Sequence, residues 1–280
     1  MSPTKLQQHQ NVADTLGAAV SKLRITVDDN LSAEEGIDTS EEAKSPTGAD
    51  CVTSFLKCDQ EFSLPQRKQL LQELFSLCLA DVESDPRQQL LLANLAEDLL
   101  EAELQAHSGA EDKESSVEGA AWLRSSSSAA SVFLTTYLRR PECEAAVIAL
   151  LDNALDPAQS KNGPSSDPAI LAERILRKLR PDAVPAGMRL LCRQLAALAP
   201  PGLREPLLGG FIILKFINPS LVSVPRSTHA QRVLVDVARH LQHLANHAAT
   251  PDAARAKNAD LDAFLTANRG AILAVFSSFS

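Results

Sequence analysis

Aromatic residues are scarce in this 280-residue chain: they make up 4% of the sequence, with one tryptophan and one tyrosine. β-Branched residues are also sparse beside leucine and alanine, so the residue types that favour strands are in short supply. The hydrophobic fraction is nevertheless 45%. Because leucine and alanine are good helix formers, this composition predicts an all-α fold, built from helices packed on helices.

A basic excess is absent as well. The formal net charge is -8, whereas nucleic-acid-binding domains usually carry a basic excess on one face, so no nucleic-acid partner is predicted. No oligomer is implied. One stretch is locally basic and is either a solvated helix face or a surface attracted to an acidic protein or an anionic membrane. Its residues are Arg174, Arg177, Lys178, Arg180, Arg189 and Arg193.

Paired cysteines and long apolar runs are also missing. The five cysteines are odd in number, widely spaced and without a Cys-x-x-Cys pair, which favours reduced core thiols in an intracellular protein. They are Cys51, Cys58, Cys78, Cys143 and Cys192. The N-terminus lacks the apolar stretch of a signal peptide, and no later segment looks long enough for a membrane helix. We therefore expect a cytoplasmic protein that others can recruit to the inner membrane surface.

The chain divides by composition near residue 48. Residues 1–48 are polar and acidic, a composition that buries too little apolar surface to order itself, so they are predicted to be a disordered tail. Residues 49–280 are predicted to form one helical domain. Within it, Asp85-Pro86 and Asp167-Pro168 are typical helix starts, a long helix is expected over about 228–247, and two short helices are expected near 260–266 and 272–279.

Helical periodicity also marks two neighbouring segments near the start of this domain. In each, apolar residues recur on one face of a helix, which predicts two packed helices. The residues are Leu70, Leu71, Leu74, Phe75 and Cys78 in the first segment, and Leu91, Leu92, Leu95 and Leu99 in the second.

The segment Gly209–Ser223 reads GGFIILKFINPSLVS and is nearly all apolar up to Ile217. Its apolar part is too short to span a bilayer, so it is predicted to be a buried core helix. A proline disfavours helical geometry in the residue before it. We therefore expect Pro219 to end this helix and Asn218 to be non-helical.

Three groups of residues resemble catalytic or metal sites only weakly. His240, His243 and His247 cluster on the long helix, but residue 244 is leucine where a zincin has glutamate, so a solvated or partner-facing surface is favoured over metal binding. The serines at 125–128 lack a glycine elbow and are better explained as caps and turn residues. No GxxxxGK[ST] loop occurs. We predict neither a metal nor a cofactor.

Three blocks of the sequence together resemble the Ras GTPase-activating (RasGAP) domain, in that family's order. They are WLRSSSSAA at 122–130, FIILKFINPSLVS at 211–223 and RVLVDVARHLQHLANHA at 232–248. The second is similar to the family pattern Phe-Leu-Arg-x-x-Asn-Pro-Ala, and the third to its Leu-Gln-Asn-Leu-Ala-Asn helix. The resemblance extends from about Cys51 to the C-terminus and agrees with an all-α fold.

The resemblance implies that Arg124 is an arginine finger, inserted into the active site of a GTP-bound Ras-like protein. The arginine that supports the finger loop in the family corresponds here to Lys215, with Asn218 also in a supporting role. This is the main departure from the family, because lysine cannot form the same bidentate contacts. The partner-binding positions implied by the resemblance are Leu123, Ser125, Pro219, Gln242 and Asn246.

The sequence leaves three possible functions. The first is an activator of GTP hydrolysis by a Ras-like GTPase, which itself holds the GTP and the magnesium. The second is a RasGAP-like module that binds a GTPase without stimulating it. The third, a helical scaffold unrelated to GTPases, requires all three matches to be accidental. The presence of Arg124 favours the first.

Overall fold

A computed structural model describes residues 63–108, 123, 128–155, 167–200, 202–223, 228–249 and 259–280. Within these ranges the chain is mostly helical and has no strand, which confirms the predicted all-α class. The helices are α1 (Leu64–Cys78), α2 (Pro86–Ser108), α3 (Ala129–Tyr137), α4 (Pro141–Leu155), α5 (Pro168–Lys178), a 3₁₀-helix (Pro181–Ala183), α6 (Ala186–Leu198), α7 (Arg204–Leu208), a π-helix (Gly209–Ile217), α8 (Asn218–Ser223), α9 (Thr228–Ala249) and α10 (Ala259–Ser278).

The chain separates into two compact units, Met1–Asp98 and Leu99–Ser280. The predicted tail at residues 1–48 lies outside the described residues. The prediction that 49–280 form a single RasGAP-like domain stays a prediction.

Both predicted aspartate-proline helix starts are confirmed. The Asp85 carboxylate accepts a hydrogen bond from the Arg87 backbone N–H at 2.9 Å, and α2 begins at Pro86. The Asp167 carboxylate does the same for the Ala169 N–H at 2.9 Å. In each case the aspartate side chain accepts a hydrogen bond from an N–H that the first helical turn leaves without a partner. The helix start therefore depends on neighbouring residues and can be predicted from the sequence.

In the first unit, the apolar face predicted for α1 is buried. Leu70, Leu71, Leu74 and Phe75 are each at most 4% exposed. The turn that leads into α2 is closed by side chains of α2, because the Gln88 amide oxygen accepts from the Asp81 N–H at 2.7 Å.

In the second unit, α9 contacts α5, α10 and the π-helix, and α4 packs against α5. The apolar residues of α9 recur at helical spacing, and Val237, Leu241 and Leu244 are completely buried. The long helix that was expected over about 228–247 is therefore confirmed, as the central element of this unit.

Pro219 does not end the apolar helix, so that prediction was wrong. Asn218 has φ -61° and ψ -41°, which is right-handed helical geometry, and the helix continues to Ser223. The physical reason is a change of hydrogen-bond register. Residues 209–217 are π-helical, the Asn218 N–H bonds to the Ile213 carbonyl five residues back, and α-helical pairing restarts at Asn218. Pro219 is then the second residue of the α-helical segment, a position where proline is tolerated, and the helix continues past it to Ser223.

The resulting continuous helix, Arg204–Ser223, has 20 residues and is long and apolar enough to cross a membrane by length and composition. The expectation that no segment reaches that length was therefore wrong. Half of its most apolar window is buried inside the protein, and Phe211, Ile212 and Ile213 have no exposed surface. That burial is the one predicted for a core helix, and core helices commonly meet the same length criterion.

The two short C-terminal helices that were expected are one helix, α10. Gly270 lies inside it with no atom within 4 Å of the position that a Cβ would take. A single glycine weakens a helix without breaking it, and packing of α10 against α9 is enough to keep it continuous.

Replacing Gly270 with alanine is expected to raise the free energy of unfolding by about 0.5–1 kcal/mol, because alanine loses less backbone entropy in a helix. The position is exposed, so a Cβ meets nothing there. Urea unfolding of the variant and the wild type measures the difference.

Gly209→Ala is the matched control and is expected to lower the free energy of unfolding. Its Cβ would lie 3.2 Å from both Ala245 Cβ and Phe276 Cζ, and both of those residues are buried. Overpacking costs about 1–3 kcal/mol, which outweighs the gain in helix propensity. A stabilised Gly209→Ala, or a destabilised Gly270→Ala, would contradict the packing described for these two helices.

Cys143 and Cys192 are free and buried, and Cys78 is free and half-buried. This agrees with the reduced core thiols that were predicted, while Cys51 and Cys58 lie outside the described residues. Burial raises the pKa of the Cys192 thiol well above its usual range. The thiolate, which is the reactive form, is therefore suppressed in the folded protein.

Candidate functional site

Arg124 and Ser125, from the first motif block, lie outside the described residues. The residues on either side of this segment are described. Leu123 precedes it, and Ser128 follows it as the N-cap of α3, where its hydroxyl accepts from the Ser131 N–H at 3.1 Å.

Leu123 packs against the start of the π-helix. It is only 2% exposed, and a Cβ built on Gly210 would lie 3.3 Å from Leu123 Cδ1 and 3.8 Å from its Cβ. Gly210 thus leaves the space that the leucine fills. Among the predicted partner-binding residues that the structure describes, Leu123 is the one that faces the core, and its side chain holds the first block against the second.

A chain of two hydrogen bonds joins the same two blocks. Lys215 Nζ donates to Ser131 Oγ at 3.2 Å, and Ser131 Oγ donates to the Leu123 carbonyl oxygen at 3.3 Å. We call this chain the Lys215 relay. It brings a predicted support residue of the second block to the residue that immediately precedes Arg124.

Asn218 connects the second block to the third. Its Nδ2 donates to the Ala238 carbonyl of α9 at 3.2 Å. Its Oδ1 is buried and has no hydrogen-bond partner among the described residues. A buried amide oxygen normally has a donor, so Asn218 keeps the capacity to accept one more hydrogen bond at this junction.

The predicted partner-binding residues of α9 continue from that junction. Gln242 and Asn246 follow Ala238 at intervals of four, which places the three on one side of the helix. Gln242 is exposed and Asn246 half-buried, and Pro219 is exposed on α8. The structure thus places Pro219 and Gln242 on the surface next to the contact between the second and third blocks.

The histidines of α9 are not gathered into one site. The His240 ring meets the Phe264 ring edge-on, with centroids 5.1 Å apart, and its Nδ1 lies 2.8 Å from the Asp236 carbonyl. His243 is exposed. His247 Nδ1 is buried without a partner in the part of the chain that the structure describes. Across that same part, no group of three His, Cys, Asp or Glu residues is placed to hold a metal ion.

The basic stretch is partly neutralised within the fold. Arg177 pairs with Glu173 at 2.5 Å, and Arg180 pairs with Asp182 at 3.3 Å. Arg189 donates to the Val184 carbonyl at 2.7 Å and so holds the turn between α5 and α6. These contacts favour the solvated-face interpretation over attraction to an anionic surface.

Ser131 and Gly210 are the site residues that were not anticipated from the sequence. Ser131 follows Ser128 at the spacing of an N-cap and its third helical residue, a signal that predicts a helix start and no more. Its contact with Lys215 joins residues 84 positions apart, and no local pattern encodes such a contact.

Comparisons with known proteins found no matching family model, no similar curated protein and no similar solved structure.

Proposed function

We propose that this protein stimulates GTP hydrolysis by a Ras-like small GTPase, with Arg124 supplied in trans as an arginine finger. The observation that carries the proposal is the Lys215 relay, which ends on the residue before Arg124. An activator needs its finger held in place before the partner arrives, because a positioned charge costs no reorganisation during the reaction. The relay and the packing of Leu123 on Gly210 supply that support.

The chemistry follows from the charge of the transition state. Transfer of the γ-phosphoryl group spreads negative charge over its oxygens, and a guanidinium placed beside them stabilises that charge. Arginine suits this role because its planar fork donates to two oxygens at once, whereas lysine is a point charge. GTP and magnesium belong to the GTPase, so the activator itself carries neither.

The supporting residues divide into two groups under this proposal. Lys215 acts through the relay, and Asn218 holds the second block to α9 through the Ala238 carbonyl. Pro219, Gln242 and Asn246, together with Ser125, form the contact surface for the GTPase. The RasGAP family, cytoplasmic location and peripheral recruitment through the partner belong to the same proposal.

The second candidate is a RasGAP-like module that binds a GTPase without stimulating it. One observation favours it: a lysine stands where the family has arginine, and it reaches Leu123 through a second side chain. If that indirect support leaves the finger poorly oriented, binding persists while stimulation is lost.

Single-turnover GTP hydrolysis by a panel of Ras-like GTPases separates the two candidates. Each GTPase is loaded with GTP and mixed with the wild-type protein, and its binding is measured in parallel with a non-hydrolysable GTP analogue. Acceleration of at least one GTPase supports the activator. Binding without acceleration supports the second candidate, and the absence of both contradicts either function.

A further inference from the structure

We infer that the π-helix is a register device: it lets one helix contact α9 at both of its ends, and it thereby fixes which side of α8 is exposed. The inference goes beyond the proposed function and does not depend on it. π-Helical pairing is rare, usually lasts a single turn and often occurs at functional sites. Here it extends over nine residues, Gly209–Ile217, so a specific packing reason is expected.

The first contact with α9 lies where the π-helix begins. A Cβ built on Gly209 would lie 3.2 Å from the Ala245 Cβ, so glycine allows the two helices to approach closely. The second contact lies at the residue that follows the π-helix, where Asn218 Nδ2 donates to the Ala238 carbonyl at 3.2 Å. Gly209 precedes Asn218 in the chain, while Ala245 follows Ala238. The two helices therefore run in opposite directions.

The two helices have different numbers of residues between these contacts. On α9 the contacts are at positions 238 and 245, seven residues apart, which is about two α-helical turns and a rise of about 10.5 Å. On the opposing helix they are nine residues apart, which in an α-helix would be about two and a half turns and about 13.5 Å. An α-helix would thus direct Asn218 away from α9 whenever Gly209 faced it.

The π-helix removes this mismatch. Its hydrogen bonds span five residues, as from the Asn218 N–H to the Ile213 carbonyl, so each turn holds about one residue more than an α-helical turn. Nine residues then make about two turns, the same number as the opposing segment of α9. Gly209 and Asn218 therefore lie on the same side of their helix, and both face α9.

The register also decides which side of α8 faces solvent. Leu221 is 1% exposed and Val222 is 49% exposed. Pro219, three residues before Val222, is exposed with it. If the preceding segment were α-helical, α8 would be rotated by about half a turn. Leu221 would then face solvent and Pro219 would face the interior. The side of α8 that any partner can contact is thus set by hydrogen bonds earlier in the chain.

Nuclear magnetic resonance of the wild-type protein tests the pairing directly. Scalar couplings across a hydrogen bond connect the nitrogen of the donor to the carbonyl carbon of the acceptor. The Asn218 nitrogen is expected to couple to the Ile213 carbonyl carbon, as the π-helix requires. Coupling to the carbonyl carbon of Leu214, four residues back, would show ordinary α-helical pairing and overturn the inference.

Two variants of altered length test whether the register serves the contacts with α9. Deletion of Ile213 and Leu214 leaves Asn218 seven residues after Gly209, so that an α-helix can make both contacts. Asn218 should then pair with Ile212, which becomes the fourth residue back. An alanine inserted between Ile213 and Leu214 is the matched control, because ten residues fit two turns in neither register.

Thiol labelling of α8 measures the outcome. Leu221→Cys and Val222→Cys are each introduced into the wild type, the deletion and the insertion, and labelled peptides are identified by mass spectrometry so that the native cysteines do not interfere. In the wild type, Leu221→Cys should react about 100-fold more slowly than Val222→Cys, because a buried thiol reacts only when the structure opens locally. The deletion should keep this difference, and the insertion should reduce it to about threefold or less.

Urea unfolding verifies that each variant is folded. An insertion that keeps the difference of about 100-fold, or a folded deletion that loses it, would overturn the inference, because the register would then not set the exposed side of α8. The deletion also removes the buried side chain of Ile213. If it fails to fold for that reason, the insertion and the wild-type coupling decide. None of these measurements uses a GTPase, so their outcome is separate from that of the proposed function.

Discussion

Replacing Arg124 with alanine is expected to lower the stimulated rate of GTP hydrolysis by about 10³–10⁵, the range known for the finger in Ras–activator pairs. Such a loss corresponds to roughly 4–7 kcal/mol of transition-state stabilisation. The reason is the loss of a guanidinium that neutralises charge on the γ-phosphoryl oxygens. The measurement is the single-turnover rate at a saturating concentration of the variant, so that weaker binding does not contribute.

Two variants make this result specific. Arg124→Lys keeps the charge and should recover little of the rate, because lysine lacks the planar fork. Arg193→Ala removes the same charge from an exposed position on α6 and should leave the rate unchanged. If Arg124→Ala stimulates as well as the wild type, Arg124 is not the finger.

Phe211→Ala is expected to cause the largest loss of stability, about 3–5 kcal/mol, which is typical of removing a fully buried aromatic ring. Phe211 has no exposed surface and lies in the π-helix that also carries Lys215. The cavity left behind would loosen the helix from which the relay starts. Urea unfolding measures the loss directly.

Val222→Ala is the control for this experiment, because it lies on the same continuous helix with 49% of its surface exposed. Substitutions at such positions usually change stability by about 0.5 kcal/mol or less. A loss below about 1 kcal/mol for Phe211→Ala would mean that the apolar segment is not part of the core.

Local signals made most of the helices predictable. An aspartate followed by proline starts a helix through its own carboxylate, and the first turns of α2 and α5 do begin in this way. Periodic apolar residues likewise indicate which face is buried, as Leu241 and Leu244 of α9 illustrate. These features depend on residues within a few positions of one another, so the sequence alone contains them.

The errors arose where packing overrides a local preference. Pro219 was expected to end a helix, but the change from π to α pairing at Asn218 gives the proline a place in a first turn. Two short helices were expected where α10 is continuous, and the cost of about 1 kcal/mol for Gly270 between them is small beside the packing of α10. In both cases the residue disfavours a continuous helix, but this preference is too weak to end the helix.

The hydrogen-bond partners of the predicted site residues could not be predicted from the sequence. Lys215 and Asn218 were selected through a resemblance, and their partners, Ser131 and the Ala238 carbonyl, are contacts made only by the folded chain. A serine in the first turn of a helix is ordinary, and nothing local indicates that its hydroxyl lies between a lysine and the carbonyl of Leu123. Contacts of this kind depend on tertiary structure.

The affinity of the protein for its GTPase in two nucleotide states tests the central claim most directly. One state holds a non-hydrolysable GTP analogue, and the other holds GDP with aluminium fluoride, which imitates the planar phosphoryl group. A protein that stabilises the transition state must bind the second state more tightly, by about 100-fold or more, and Arg124→Ala must remove that preference. Equal affinity for the two states, or a preference that survives Arg124→Ala, would contradict the account.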